Sequence, residues 1–196
     1  MKRIMILILI LILVFTMCCG CVSAKEYDIN VDYAELMIKA ACKGDVAAGM
    51  KYNRLRDLKK RDLNIKDDIQ FDCLYLLSKV IHSEAGSSWI SEYHRRMVGS
   101  VVLNRVASPE FPNTMNEVVY QRGQYAGAIN GSLNYIIPSE ACVRSAFRLI
   151  ADGSIAPSSV VVQAEFPQGS GVYKTVNDPY LGTTYFCYSS KPWLYK

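Results

Sequence analysis

Histidine is scarce in this chain. Two occur in 196 residues, His82 and His94, and there is no His-Glu-x-x-His pair. A zinc hydrolase would have to draw most of its ligands from carboxylates, and Cys42, Cys73, Cys142 and Cys187 stand at spacings that match no zinc motif. Neither a metal nor an organic cofactor is implied. A Gly-x-Ser-x-Gly elbow and a glycine-rich phosphate loop are also missing, which excludes the common serine-hydrolase and nucleotide-binding designs. A Cys–His nucleophile pair on one helix fails geometrically, because Cys73 and His82 are nine residues apart and so lie on opposite faces. Pairing across elements, such as Cys187 with His94, stays open. Net charge is small as well, at +4 with Lys2 and Arg3 contributing two. That excess is too slight to argue for a nucleic-acid partner.

What is present begins with a targeting segment. Met1-Lys2-Arg3 is followed by an apolar run from Ile4 to Met17, and Val22-Ser23-Ala24 places small residues ahead of Lys25. This is the layout of a secretory signal peptide. The uncharged stretch from Ile4 to Val22 is also nearly long enough for an uncleaved anchor, and Cys18, Cys19 and Cys21 leave lipidation open. Each reading puts the domain outside the cytoplasm, with membrane contact through residues 1–24 alone. In an oxidising compartment the four later cysteines permit disulfides, and otherwise they are small buried hydrophobes.

Residues 25–68 read as a charged helical appendage or linker. Asp32 is placed to cap a helix carrying Leu36, Met37, Ala40 and Ala41; Gly44 breaks it, and Asp45 caps a second. Residues 69–196 read as the main domain. Phe71, Leu74, Leu77, Val80 and Ile81 recur at helical spacing, with Ser78, Lys79 and Ser83 on the wet face. Gly86 is expected to end that helix. A second helix is expected from about Ile90 to Val106, with Tyr93, Met97, Val98, Val101 and Val102 inward. Asn104 falls on its apolar side, either tying down backbone or serving a cleft. Thr114 and Glu117 mark a short capped helix, and residues 121–133 an ordered loop. Another helix follows Pro138-Ser139, with Val143, Ala146, Phe147 and Ile150 inward. After Pro157 three short β-branched or aromatic runs give strands. The class is α+β, helices first and a small antiparallel sheet last.

Glu84 stands seven residues after Leu77 and continues the apolar seam of the first core helix. A carboxyl among apolar neighbours loses hydration, which disfavours its charged form and raises its pKa. Glycoside cleavage needs such a protonated acid beside the leaving oxygen. Hydrolysis also needs a second carboxylate, for which Glu92, Glu110, Glu117, Glu140, Asp152, Glu165 and Asp178 are candidates that no pattern separates. A route with one carboxylate exists where the sugar provides its own nucleophile, as the C6 hydroxyl of muramic acid does on closing to C1.

The string from Cys73 to Gly86, Val101-Val102-Leu103-Asn104-Arg105-Val106, Ser108 to Thr114, Val119 to Tyr125, and Pro138 to Ala141 together resemble the SleB-type spore cortex-lytic, cell wall hydrolase family. The resemblance runs from residue 73 to 188. It implies a lysozyme-like domain acting on peptidoglycan glycan strands as a lytic transglycosylase, with the catalytic acid on Glu84. It also implies that Gly123, Gln124 and Tyr125 line the sugar cleft, with Tyr120, Asn104, Tyr173 and Tyr185 as further contacts. The chain departs from the family at Gly86-Ser87-Ser88, where relatives commonly read Arg-Gly-Glu and the next helix begins about two residues sooner. The peptidoglycan-binding repeats of cortex-lytic enzymes are absent, so a vegetative-wall and a spore-cortex substrate are equally open. A two-carboxylate muramidase and a non-catalytic wall-binding module are the alternative functions.

Overall fold

The computed structural model describes residues 26–195 apart from 68 and 181. The expected targeting segment, 1–24, lies outside the described residues. Residues 32–196 group into one compact unit, and residues 26–31 fall in a separate one, where Asp28 Oδ1 accepts the Asn30 N–H at 2.8 Å.

The helices follow from local capping chemistry. Helix α1 (Tyr33–Lys43) is capped by Asp32, whose carboxylate accepts from the backbone of Ala34 and Glu35; Gly44, at φ 67, closes it in a left-handed conformation open to glycine at little cost. Asp45 then caps α2 (Val46–Leu63) through Ala48 N–H. Helix α3 (Phe71–Ala85) buries Phe71, Leu74, Leu77, Val80 and Ile81, the stripe its spacing predicts. Helix α4 (Glu92–Ala107) starts at Ser91, α5 (Met115–Val119) at Thr114, and α6 (Ala126–Ile129) forms inside the expected loop. Helix α7 (Glu140–Asp152) completes the helical part.

Strands β1 (Val160–Ala164), β2 (Val172–Asp178) and β3 (Gly182–Tyr188) form an antiparallel sheet in the order β1-β3-β2. Gln163 pairs with Phe186, and Asp178 with Gly182 at the turn. The sheet joins the helices through β1, which lies against α4, while α4 also packs on α3, α5 and α7. One core results, and the helices-then-sheet class read from the sequence is the observed one.

Several local expectations change. Met37, Ile38, Ala40 and Ala41 of α1 enter the common core, and α1 packs on α7. Helices α1 and α2 are therefore part of the compact unit and not an appendage to it. Ser78 is fully buried because its hydroxyl donates to Leu74 O at 2.6 Å, satisfying itself within the helix. Tyr93 faces outward. Gly86 ends α3 without a left-handed turn; a Cβ there would sit 2.2 Å from His82 O, so close approach explains the glycine. The four cysteines are free thiols.

Candidate active site

Glu84 sits in the last turn of α3, half-buried, where the apolar stripe delivers it. Burial pushes its carboxyl above the ordinary glutamate range, and the Arg105 guanidinium acts in the opposite direction. Gln163 on β1 donates from Nε2 to Glu84 Oε2 at 3.5 Å. Helix end and sheet therefore meet at this acid.

Arg105 is held by three contacts. Its Nε donates to Val161 O at 2.7 Å, and its guanidinium carbon lies 5.2 Å from the Phe111 ring centre and 5.4 Å from that of Tyr125. The side chain is buried, and its Nη1 has no hydrogen-bond partner. Tyr125 is buried too, with its phenol against the Arg105 guanidinium, and Oε1 of Gln163 lacks a partner. Burial raises the Tyr125 phenol above its ordinary value; Arg105 lowers it, and the Glu84 charge raises it further. Unsatisfied polar atoms inside a protein are costly. Gln163 brings one such atom beside the acid.

The other acids are engaged elsewhere. Glu92 pairs with Arg148, and Glu140 with Arg144 at 2.7 Å. Glu110 accepts from Ser189 and Tyr195, which with Lys191 hold its carboxyl below the usual range. Glu117 bonds its cap residue Thr114, and Asp178 accepts from Trp89 and Tyr180. Glu165 and Asp152 are exposed. No carboxylate among the described residues shifts the titration of Glu84. The histidines serve packing: His82 Nδ1 accepts the Ser139 N–H at 3.1 Å, and the His94 ring meets Phe186 edge-on. No group of metal-ligating side chains forms among the described residues.

The expected substrate-binding residues divide. Tyr125 does reach the acid, but as a buried ring under Arg105 and not as an open stacking surface. Gly123, at φ 84, and Gln124 sit on the turn just before it, the first exposed and the second half-buried. Asn104 is buried and donates both amide hydrogens to backbone, to Pro157 O at 2.7 Å and Val160 O at 2.9 Å. It fastens the sheet to α4 through both amide hydrogens. Tyr173 meets Tyr188 edge-on within the sheet, and Tyr185 is half-buried on β3. Tyr120 lines a different groove of about 420 Å³, along the other end of α3 with Tyr75, Lys79 and Met50. Sequence reasoning missed Arg105 and Gln163 as site residues.

A model of the cell wall hydrolase family matches residues 91–195. The chain belongs to the cell wall hydrolase family, whose enzymes degrade peptidoglycan. Among solved structures, the chain is similar to the catalytic domain of the Bacillus cereus SleB protein, at 20% identity over 63% of this chain and 95% of that one, with a TM-score of 0.48. No curated protein matches. The matched span of this cell wall hydrolase takes in Arg105, Tyr125 and Gln163 and begins seven residues after Glu84.

Proposed function

We propose that this cell wall hydrolase is a lytic transglycosylase that cuts the MurNAc–GlcNAc bond and leaves 1,6-anhydromuramic ends. Glu84, whose proton is held more tightly because of burial, gives that proton to the leaving glycosidic oxygen. The C6 hydroxyl of the muramic ring then closes on C1, and the Glu84 carboxylate takes the hydroxyl proton, which restores the acid. Arg105 stabilises the carboxylate in the interval between the two transfers. Gln163 holds the carboxyl in place through its hydrogen bond. In this reading the accessible turn at Gly123 and Gln124 contacts the glycan, and Tyr125 forms the wall behind the acid.

The observation that carries the reading is a partly buried acid at the end of α3 with a raised pKa, met by the Gln163 amide and facing the Arg105 charge. A two-carboxylate hydrolase needs a second acid roughly 5–9.5 Å from the first. Glu92, Glu110, Glu117, Glu140 and Asp178 are instead engaged by arginines, hydroxyls, a cap and the sheet turn, while Asp152 and Glu165 are exposed. Mass spectrometry of digested walls tests the reading, since an anhydro product is lighter by one water than a hydrolytic one. Wild type should release anhydromuramoyl fragments, and Glu84→Gln should fold and release none. Reducing-end fragments would turn the assignment to a muramidase, and undiminished activity in Glu84→Gln would end it. In this reading the protein works outside the cytoplasm, where this substrate lies; vegetative and cortex walls are both suitable substrates for the assay.

A further inference from the structure

Two large aromatic rings stand in solvent close to the candidate site. Trp89, in the α3–α4 connection, is 54% exposed, and Tyr180, in the β2–β3 turn, is 77% exposed. Their ring centres are 5.1 Å apart at an interplanar angle of 60°. The indole N–H points to Asp178 Oδ1 at 3.4 Å, and that same oxygen accepts the backbone N–H of Tyr180. The pair is thus fixed in orientation while both rings keep open surface.

The loop that presents Trp89 is held on both sides. Arg95 Nη2 donates to Ser87 O at 3.0 Å, Ile90 N–H bonds the same carbonyl at 3.1 Å, and the Ile90 side chain is buried. A rigid loop that leaves an indole in water loses the burial that usually stabilises a tryptophan.

The pair lies within reach of Glu84 by two routes. Five residues separate Glu84 from Trp89, so their Cα atoms are at most roughly 18 Å apart. Across the sheet, Gln163 beside Glu84 pairs with Phe186, and four residues along β3 Gly182 pairs with Asp178. At about 3.4 Å per residue along the strand and two strand spacings of about 4.8 Å, from β1 across β3 to β2, that is roughly 17 Å. The distance suits a few sugar rings along one strand.

We propose that Trp89 and Tyr180 form a distal glycan subsite, on which a sugar ring of the peptidoglycan strand stacks while Asp178 accepts from its hydroxyls. The proposal rests on the glycan-cleaving reading above for its occupant. It makes the enzyme select long strands over short ones. A flat ring with axial C–H groups fits an aromatic face, and neither Trp89 nor Tyr180 carries a charge that a neutral sugar would have to displace.

Binding separates this proposal from the chemistry. In the full chain carrying Glu84→Gln, affinity for chitohexaose and chitobiose is measured by calorimetry, with and without Trp89→Ala, Trp89→Phe and Tyr180→Ala. Trp89→Ala and Tyr180→Ala should weaken hexamer binding roughly 3- to 10-fold. Trp89→Phe should retain most of it, dimer affinity should be unchanged, and Tm should hold. Equal hexamer affinity in all four proteins overturns the subsite. So does a loss for hexamer and dimer alike that tracks a fall in Tm, since the pair then only braces the turn. If hexamer binding depends on Trp89 while Glu84→Gln retains wall-cleaving activity, the subsite stands and the assignment of the acid falls.

Discussion

Gln163 Nε2 lies 3.5 Å from Glu84 Oε2, so the acid on α3 is met by an amide from the first strand, 79 residues later in the chain. With Arg105 as the charge that acts on it, Glu84 has an amide and a guanidinium around it where a hydrolase would have a carboxylate. The consequence is a definite pH dependence. The acid must be protonated to act, so activity falls as pH rises through its raised pKa. Arg105 favours the carboxylate, hence Arg105→Gln should move the alkaline limb of kcat to higher pH, and Arg105→Lys should leave it near wild type. Rates on soluble glycan strands across pH check this; an alkaline limb that moves to lower pH in Arg105→Gln rules out the electrostatic role.

The same shift carries a stability cost with a fixed sign. A glutamate whose folded pKa is raised holds its proton more tightly when folded than when unfolded. Folding stability therefore declines as pH rises from the ordinary glutamate value through the raised one, and stays lower above it. Glu84→Gln, neutral at every pH, should raise Tm by a few degrees at neutral pH, about 2–4 °C for each kcal/mol. At pH 4 and below the gain should vanish. Calorimetric melts at the two pH values check this, and an equal effect at both would refute the desolvated-acid account.

Much of this was legible because the relevant signals are local. The stripe from Phe71 to Ile81 and its polar continuation at Glu84 need only helical periodicity, and Asp32, Asp45 and Thr114 cap through bonds to residues two or three positions on. The strand runs show as β-branched clusters. Arg105 and Gln163 were hidden for a physical reason. Helix α4 is enclosed by α3, α5, α7 and β1, so its buried residues include His94, Arg95, Asn104 and Arg105 along with the valines. A helix covered on most sides has no wet face against which one buried arginine stands out. Gln163 follows three valines and reads as an outward strand position; only the approach of β1 to the end of α3 gives it a partner. The single-helix pattern likewise could not show that α1 docks on α7, because that contact joins residues a hundred positions apart.

Asn104 illustrates how a buried polar residue separates structure from catalysis. Its amide hydrogens serve Pro157 O and Val160 O, the segment where the chain enters β1. Asn104→Ala removes two hydrogen bonds, taking the side-chain donor from the buried Val160 O while Pro157 O keeps the Val160 N–H, and should cost about 2–4 kcal/mol. That corresponds to a fall in Tm of roughly 5–12 °C. Measured well below that lower Tm, KM for glycan strands should equal the wild-type value. A rise in KM with Tm unchanged would return Asn104 to the substrate-binding set.

Gly49 tests whether α2 belongs to the enzyme body. A Cβ at this position would lie 2.0 Å from Cζ of Phe71 and 2.2–2.4 Å from both Cε atoms, and Phe71 is fully buried at the start of α3. Two effects oppose each other in Gly49→Ala. Alanine improves helix propensity by about 1 kcal/mol, whereas forcing a methyl into a packed ring costs about 1–3 kcal/mol and displaces it. The ring cannot yield easily, because it also stacks on Tyr75 with centres 5.7 Å apart. The clash should win, with a net loss of about 1–2 kcal/mol and a lower Tm. Because Phe71 opens the helix that ends in Glu84, cleavage of glycan strands should slow along with it. A thermal melt that shows Gly49→Ala as stable as wild type, or more so, would mean that α2 does not pack on Phe71 and that the helices before residue 68 are an attachment after all.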